Sequence, residues 1–166
     1  CYNMKTIDTS FFDIFKIGPG PSSSHTIGPM NAAHTFVESC KSLPASTIQT
    51  AESLKIQLFG SLSATGVGHG TDKAIVGGLL GIRPSECDPD ILANLLPVSP
   101  EGIEINVGCK SIIIHNNDII FDESECDLKY QNTMIFELCG ATGKSIFSRT
   151  YYSVGGGFII CKEEAV

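Results

Sequence analysis

Leu138-Cys139-Gly140-Ala141-Thr142-Gly143-Lys144-Ser145 is the stretch on which the choice of fold class turns. It comes close to a phosphate-binding P-loop, but Leu138 stands where that pattern needs its first glycine. A P-loop also opens a helix, whereas residues 145–154 read as a strand, as do residues 134–139 before the turn. The stretch is therefore predicted to be a hairpin turn, and the domain to contain antiparallel pairing. Working outward, residues 103–107 and 111–115 read as strands, Asn116-Asn117-Asp118 as a turn and residues 119–121 as another strand. Upstream, Leu54, Ile56 and Leu58 alternate with Lys55 and Gln57, the period of a half-buried strand. Before it, Met30, Ala33, Val37 and Cys40 recur at helical spacing, which predicts a helix over about 29–42 with Pro29 in its first turn. A loop with Pro44 links the two. A buried helix should begin near Asp72, with Thr71 as its N-cap. Pro84, Pro89, Pro97 and Pro100 punctuate a loop region with one short helix at 90–96. Early helices and late hairpins make an α+β domain, with a mostly antiparallel sheet and helices packed on one face.

The 166 residues make one domain, long enough to bury a core without disulfides or a structural metal. The net charge of −7 and the singly scattered Lys and Arg argue against nucleic acid or anionic membrane as partners. The strongest apolar run, 74–82, has nine residues, against roughly 20 needed to span a bilayer. No basic patch leads into an apolar run near the N-terminus, so the expectation is a cytoplasmic protein. Cys1-Tyr2-Asn3 precede Met4 and read as a cloning remnant. The seven cysteines (1, 40, 87, 109, 126, 139 and 161) lie 13 or more residues apart, which is not the spacing of a metal or cluster site. Reduced, mostly buried thiols are expected, with Cys161 the most exposed.

Three segments have the composition of a site. In Gly18-Pro19-Gly20-Pro21-Ser22-Ser23-Ser24-His25-Thr26, three hydroxyls and an imidazole stand before a helix. The amides and dipole of that helix end favour an anion such as a carboxylate. Serines also cap helices everywhere, so an ordinary capping loop remains the competing reading. In Gly66-Val67-Gly68-His69-Gly70-Thr71-Asp72, alternating glycines display His69 on backbone that a ligand can approach. A flexible glycine frame is a costly place for a core residue, which turns His69 toward function. His34, inside a helix, and His115, at a strand end, read as structural or solvated. The third segment, Tyr151-Tyr152-Ser153-Val154-Gly155-Gly156-Gly157-Phe158, ends a strand in glycines. It is either a bulged strand end or a place where a ligand passes close to backbone. The glycines at 66, 68 and 70 lack dinucleotide-fingerprint spacing, and no Gly-x-Ser-x-Gly elbow exists. Lys73, beside Asp72 in a helix's first turn, reads as a solvated charge rather than a pyridoxal phosphate lysine.

Taken in order, these residues resemble the opening of the bacterial-type, iron–sulfur-dependent L-serine dehydratases. The resemblance rests on Phe12-Asp13-Ile14-Phe15-Lys16-Ile17-Gly18, Gly20-Pro21-Ser22-Ser23-Ser24-His25-Thr26, Gly28-Pro29-Met30 and Gly60-Ser61-Leu62. It continues through Thr65-Gly66, Gly68-His69-Gly70-Thr71-Asp72-Lys73-Ala74 and residues 151–158. It spans nearly the whole chain. Such enzymes convert L-serine to pyruvate and ammonia without pyridoxal phosphate, using a 4Fe–4S cluster with one iron open as Lewis acid. The resemblance implies that the cluster's cysteines lie in a separate domain or subunit outside this chain. Residues 4–160 would then be the substrate-binding domain and 161–166 the start of a linker, and the fragment alone would be inactive.

The resemblance further implies that His69 is the general base that takes the weakly acidic Cα proton. A neutral imidazole, with an ordinary pKa of roughly 6.5, suits that task. Ser22, Ser23, Ser24 and His25 would hold the carboxylate and amino group of L-serine, and Thr71 and Asp72 would position His69 or bind substrate. The expected partners are L-serine, the cluster-binding domain and further copies of the enzyme. The domain is also similar to the allosteric substrate-binding domain of some D-3-phosphoglycerate dehydrogenases. A non-catalytic amino-acid or anion sensor is therefore the alternative, and a dimerisation domain with merely packed glycine loops is a third. The Ser22–Thr26 and 60–72 segments should converge if both touch one serine molecule.

Overall fold

Met30, Ala33, Val37 and Cys40, one helical stripe of the sequence, are all buried, and the helix they define, α1, runs over Ile27–Cys40. It starts two residues before Pro29, because Pro29 occupies the third helical position, where its missing N–H still lies among the orphaned first-turn donors. The computed structural model describes residues 26–63, 70–83, 101–122, 132–155 and 158–162. The proline-punctuated region 84–100, with its expected short helix, lies outside them. After α1, Pro44 caps a short helix α2, Ala45–Gln49, where the sequence reading had only a loop. Ile48 anchors α2 by burying itself against Gly108, where an added Cβ would stand 2.6 Å from Ile48 Cδ1.

Strand β1 spans Ala51–Gly60, longer than its alternating centre, because pairing with a neighbour carries it to both ends. Helix α3, Thr71–Leu79, follows the segment that begins at 64. The remaining elements are β2 (Ile103–Val107), β3 (Lys110–Ile114), a 3-10 turn at Asn116–Asp118, β4 (Ile119–Phe121), β5 (Asn132–Gly140), β6 (Ser145–Gly155) and β7 (Phe158–Cys161). The main sheet has the order β4-β1-β5-β6-β7, with every pairing antiparallel except β1 with β4. Residues 140–144 form the β5–β6 hairpin turn. Gly143 N–H donates to Gly140 O, and Gly140 N–H to Lys144 O, both at 2.9 Å. The domain is α+β with a mostly antiparallel sheet, as the turn chemistry implied.

Two details of the expected sheet are corrected. Strands β2 and β3 form their own two-stranded ribbon rather than joining the main sheet. Nor does β4 pair back on β3: the 3-10 turn carries it away, and it lies parallel to β1 in the register Ile56↔Ile119. In this pairing Ile119 is buried, only 7% exposed.

The core lies between the helices, the ribbon and one sheet face. Leu54, Ile56, Leu58, Met134, Phe136, Leu138 and Tyr151 come from the sheet, with Phe36, Ile75, Val76 and Leu79 from the helices. Phe136 stacks on Phe36 at 5.3 Å and meets Tyr151 edge-on at 5.8 Å. Helices α1 and α3 pack backbone to backbone at Gly78, where a Cβ would overlap Met30 O and come within 2.8 Å of Ala33 Cβ. Only glycine permits that approach. Among the described residues, no helix is long and apolar enough to cross a membrane.

Candidate functional site

At one end of the main sheet the apolar core gives way to polar atoms. Along β5 the core-facing row runs Leu138, Phe136, Met134 and then Asn132, since side chains two apart share a face. Along β6 Tyr151 is followed two residues later by Ser153, which is also buried. On β1 the row Leu54, Ile56, Leu58 ends at Gly60, the Cα partner of Asn132. Three residues further, Ser63 is only 5% exposed. Ser63 and Ser153 are thus buried polar residues at this end, while Thr133, also buried, faces the other side of the sheet. Among the described residues, two buried side-chain atoms have no hydrogen-bond partner: Ser63 Oγ and Asn132 Oδ1. An unmade buried hydrogen bond costs about 1–3 kcal/mol, and both fall at the same end of β1.

The described residues resume at Gly70. Thr71 is not the cap of α3, as the sequence suggested. Gly70 is, with φ at 74°, and Thr71 is the first helical residue and fully buried. A left-handed cap favours glycine because a Cβ is strained there. Asp72, next in the first turn, is half-buried, and its Oδ1 accepts a hydrogen bond from Lys73 N–H at 2.9 Å. Burial pushes the Asp72 carboxyl above the usual carboxylate range, although the Lys73 amide opposes this. A raised native pKa means that the folded state holds its proton more tightly than the unfolded chain. Stability from this group is therefore greatest at acid pH and declines as pH rises through the raised native pKa. Thermal unfolding of the chain and of Asp72→Asn across the carboxylate range should show wild type losing ground to the variant as pH rises. A pH-independent difference would contradict the burial effect.

Of the residues singled out from sequence, Ser22, Ser23, Ser24, His25 and His69 lie outside the described residues, as does the expected convergence of their two segments. Thr71 and Asp72 begin α3, and Thr26, 2% exposed, stands at the start of α1. The two helices that follow the serine run and the His69 loop are in direct contact at Met30, Ala33 and Gly78. His34 is half-buried on α1, and His115 is an exposed cap whose N–H donates to Asp118 Oδ2 at 2.8 Å. Sequence reasoning passed over Asn132 and the buried role of Ser63. The available signal was a polar residue heading each apolar row, which is weak because strands commonly end in polar residues.

The four described thiols do not suit a cluster. Cys40 and Cys139 are buried, Cys161 lies within β7, and Cys109 is exposed. Cys109 rather than Cys161 is thus the most open of the four described, because it sits in the tight β2–β3 turn while β7 pairs with β6. Burial pushes the Cys40 thiol up to about 12, far from the thiolate that ligates iron. Among the described residues no three His, Cys, Asp or Glu gather to hold a metal. The residues described do not fit an iron–sulfur group.

Comparison with known proteins places this architecture. Residues 10–164 match the family described as serine dehydratase beta chain. The L-serine dehydratase of Haemophilus influenzae is 36% identical over 154 residues, covering 91% of this chain and 33% of the relative. L-serine dehydratase TdcG of Escherichia coli K12 is 41% identical over 159 residues, covering 93% and 34%. That of Mycobacterium bovis is 37% identical over 155 residues, covering 93% and 33%. The chain spans about a third of the length of these curated relatives. With the family matched from residue 10 to residue 164, the chain belongs to the serine dehydratase beta chain family.

Proposed function

We propose that this chain is the substrate-binding N-terminal domain of an L-serine dehydratase, an enzyme that converts L-serine to pyruvate and ammonia. The observation that carries the reading is the family match from residue 10 to residue 164, which takes in every motif quoted above. The relatives named L-serine dehydratase are about three times as long, which supports a partner region that completes the site. On this reading the 4Fe–4S cluster is held by that region, in the cytoplasm, and this chain contributes the groups that bind the amino acid and move its proton.

His69 takes the Cα proton of bound serine as a neutral base. The C–H electron pair forms the Cα–Cβ double bond while the Cβ–O bond breaks and hydroxide departs. The resulting enamine tautomerises to an imine, and water releases ammonia and pyruvate. Ser22, Ser23, Ser24 and His25, ahead of the α1 N-terminus, receive the charged ends of the substrate. Thr71 and Asp72, which open α3, position His69 or bind the substrate. The polar end of the sheet, where β1 leads on to Ser63, supports a site there rather than at the apolar end.

The direct test compares lengths. The full-length protein, prepared without oxygen, should release pyruvate from L-serine, and the 166-residue chain alone should not. Serine deamination by the isolated chain would overturn the division of labour. An inactive full-length protein that binds amino acids would favour a sensing domain instead.

A further inference from the structure

The orphaned pair at the end of β1 calls for a ligand. Asn132 Oδ1 can only accept a hydrogen bond, and Ser63 Oγ can accept or donate, so the group that satisfies both must be a donor. The Asn132 amide lies on the core-facing row of β5, opposite Gly60 on β1. Gly60 has no side chain to cover it, and φ at 64° is a conformation that other residues rarely take. Three residues of chain, at most roughly 10 Å, separate Gly60 from Ser63. The neighbouring core-facing residues Leu58, Met134 and Tyr151 are packed in the apolar core. We propose that Asn132 Oδ1 and Ser63 Oγ bind the α-ammonium group of the amino-acid substrate. This deepens the serine dehydratase reading, rests on it, and narrows the Ser22–His25 run, given above to both charged ends, to the carboxylate. An ammonium brings three donors, enough for both oxygens, and its charge strengthens each bond. A simple carboxylate brings no donor and would leave Asn132 Oδ1 unmet, so the pair favours a ligand with an amino group over its des-amino analogue.

The test uses the full-length enzyme and two probes that differ only in the ammonium, L-alanine and propionate, each measured by calorimetry and as an inhibitor of serine turnover. Asn132→Leu should weaken L-alanine binding by about 10- to 100-fold and leave propionate unchanged, because one charge-assisted hydrogen bond is lost. Asn132→Asp, which keeps the acceptor, should retain L-alanine binding. Ser63→Ala should act in the same direction as Asn132→Leu, and it guards against a leucine variant that fails to fold. Unchanged L-alanine binding in both Asn132→Leu and Ser63→Ala, or equal losses for the two probes, would overturn the assignment while serine turnover by wild type keeps the enzyme reading intact. A wild-type protein that binds L-alanine no better than propionate and releases no pyruvate would remove both.

Discussion

In the full-length enzyme, His69→Ala is expected to lower serine turnover by about 10²–10⁴, the usual cost of losing a positioned general base. On the proposed reading the loss should fall on kcat, because the imidazole would act in the proton-transfer step while other groups bind the amino acid. Folding should survive, since His69 stands in a glycine-framed segment immediately before the α3 cap at Gly70. His34→Ala is the matched control: it removes an imidazole from α1 and should leave turnover near wild type. Pyruvate release measured under anaerobic conditions, with melting temperatures for both variants, separates the two. Full activity in His69→Ala would place the base on another residue without disturbing family membership.

Phe136→Ala should be the most destabilising single change in the core. The ring is fully buried, stacks on Phe36 and meets Tyr151 edge-on, so it ties α1 to the two central strands of the hairpin. Truncating such a ring costs about 3–5 kcal/mol through lost transfer energy and the cavity left behind. Domains of this kind are stable by only about 5–15 kcal/mol, so the variant should sit at the edge of unfolding. Urea unfolding of the chain would show it as a large drop in midpoint. Ile113→Ala, on an outward position of β3 that is 52% exposed, should change the midpoint little. Similar midpoints for the two variants would mean that the stacked rings contribute no more than a surface residue.

What the sequence determined by itself was the set of apolar faces that repeat along an element. Helical spacing marked Met30, Ala33, Val37 and Cys40 as one buried stripe, and α1 buries all four. Alternation marked Leu54, Ile56 and Leu58, and all three are core residues of β1. Leu138 in place of a glycine, followed by a strand, was enough to make 140–144 a hairpin turn. The ordered motifs were enough to point to the family, because together they span most of the chain.

Only the tertiary structure decided how the pieces pair and which polar groups are left over. Periodicity says which face of a strand is apolar, but not which strand lies beside it. Thus β4 looked like the continuation of a hairpin and instead closes the sheet edge parallel to β1. The same limit hid α2, whose single buried residue, Ile48, leaves no periodic signal. Exposure of Cys109 rather than Cys161 followed from strand pairing as well. The pair at the end of β1 is the clearest case. Ser63 and Asn132 are far apart in the chain and ordinary in composition. A buried polar atom without a partner exists only once every neighbour has been placed, because hydrogen-bond satisfaction is a property of the packed interior and not of the residue.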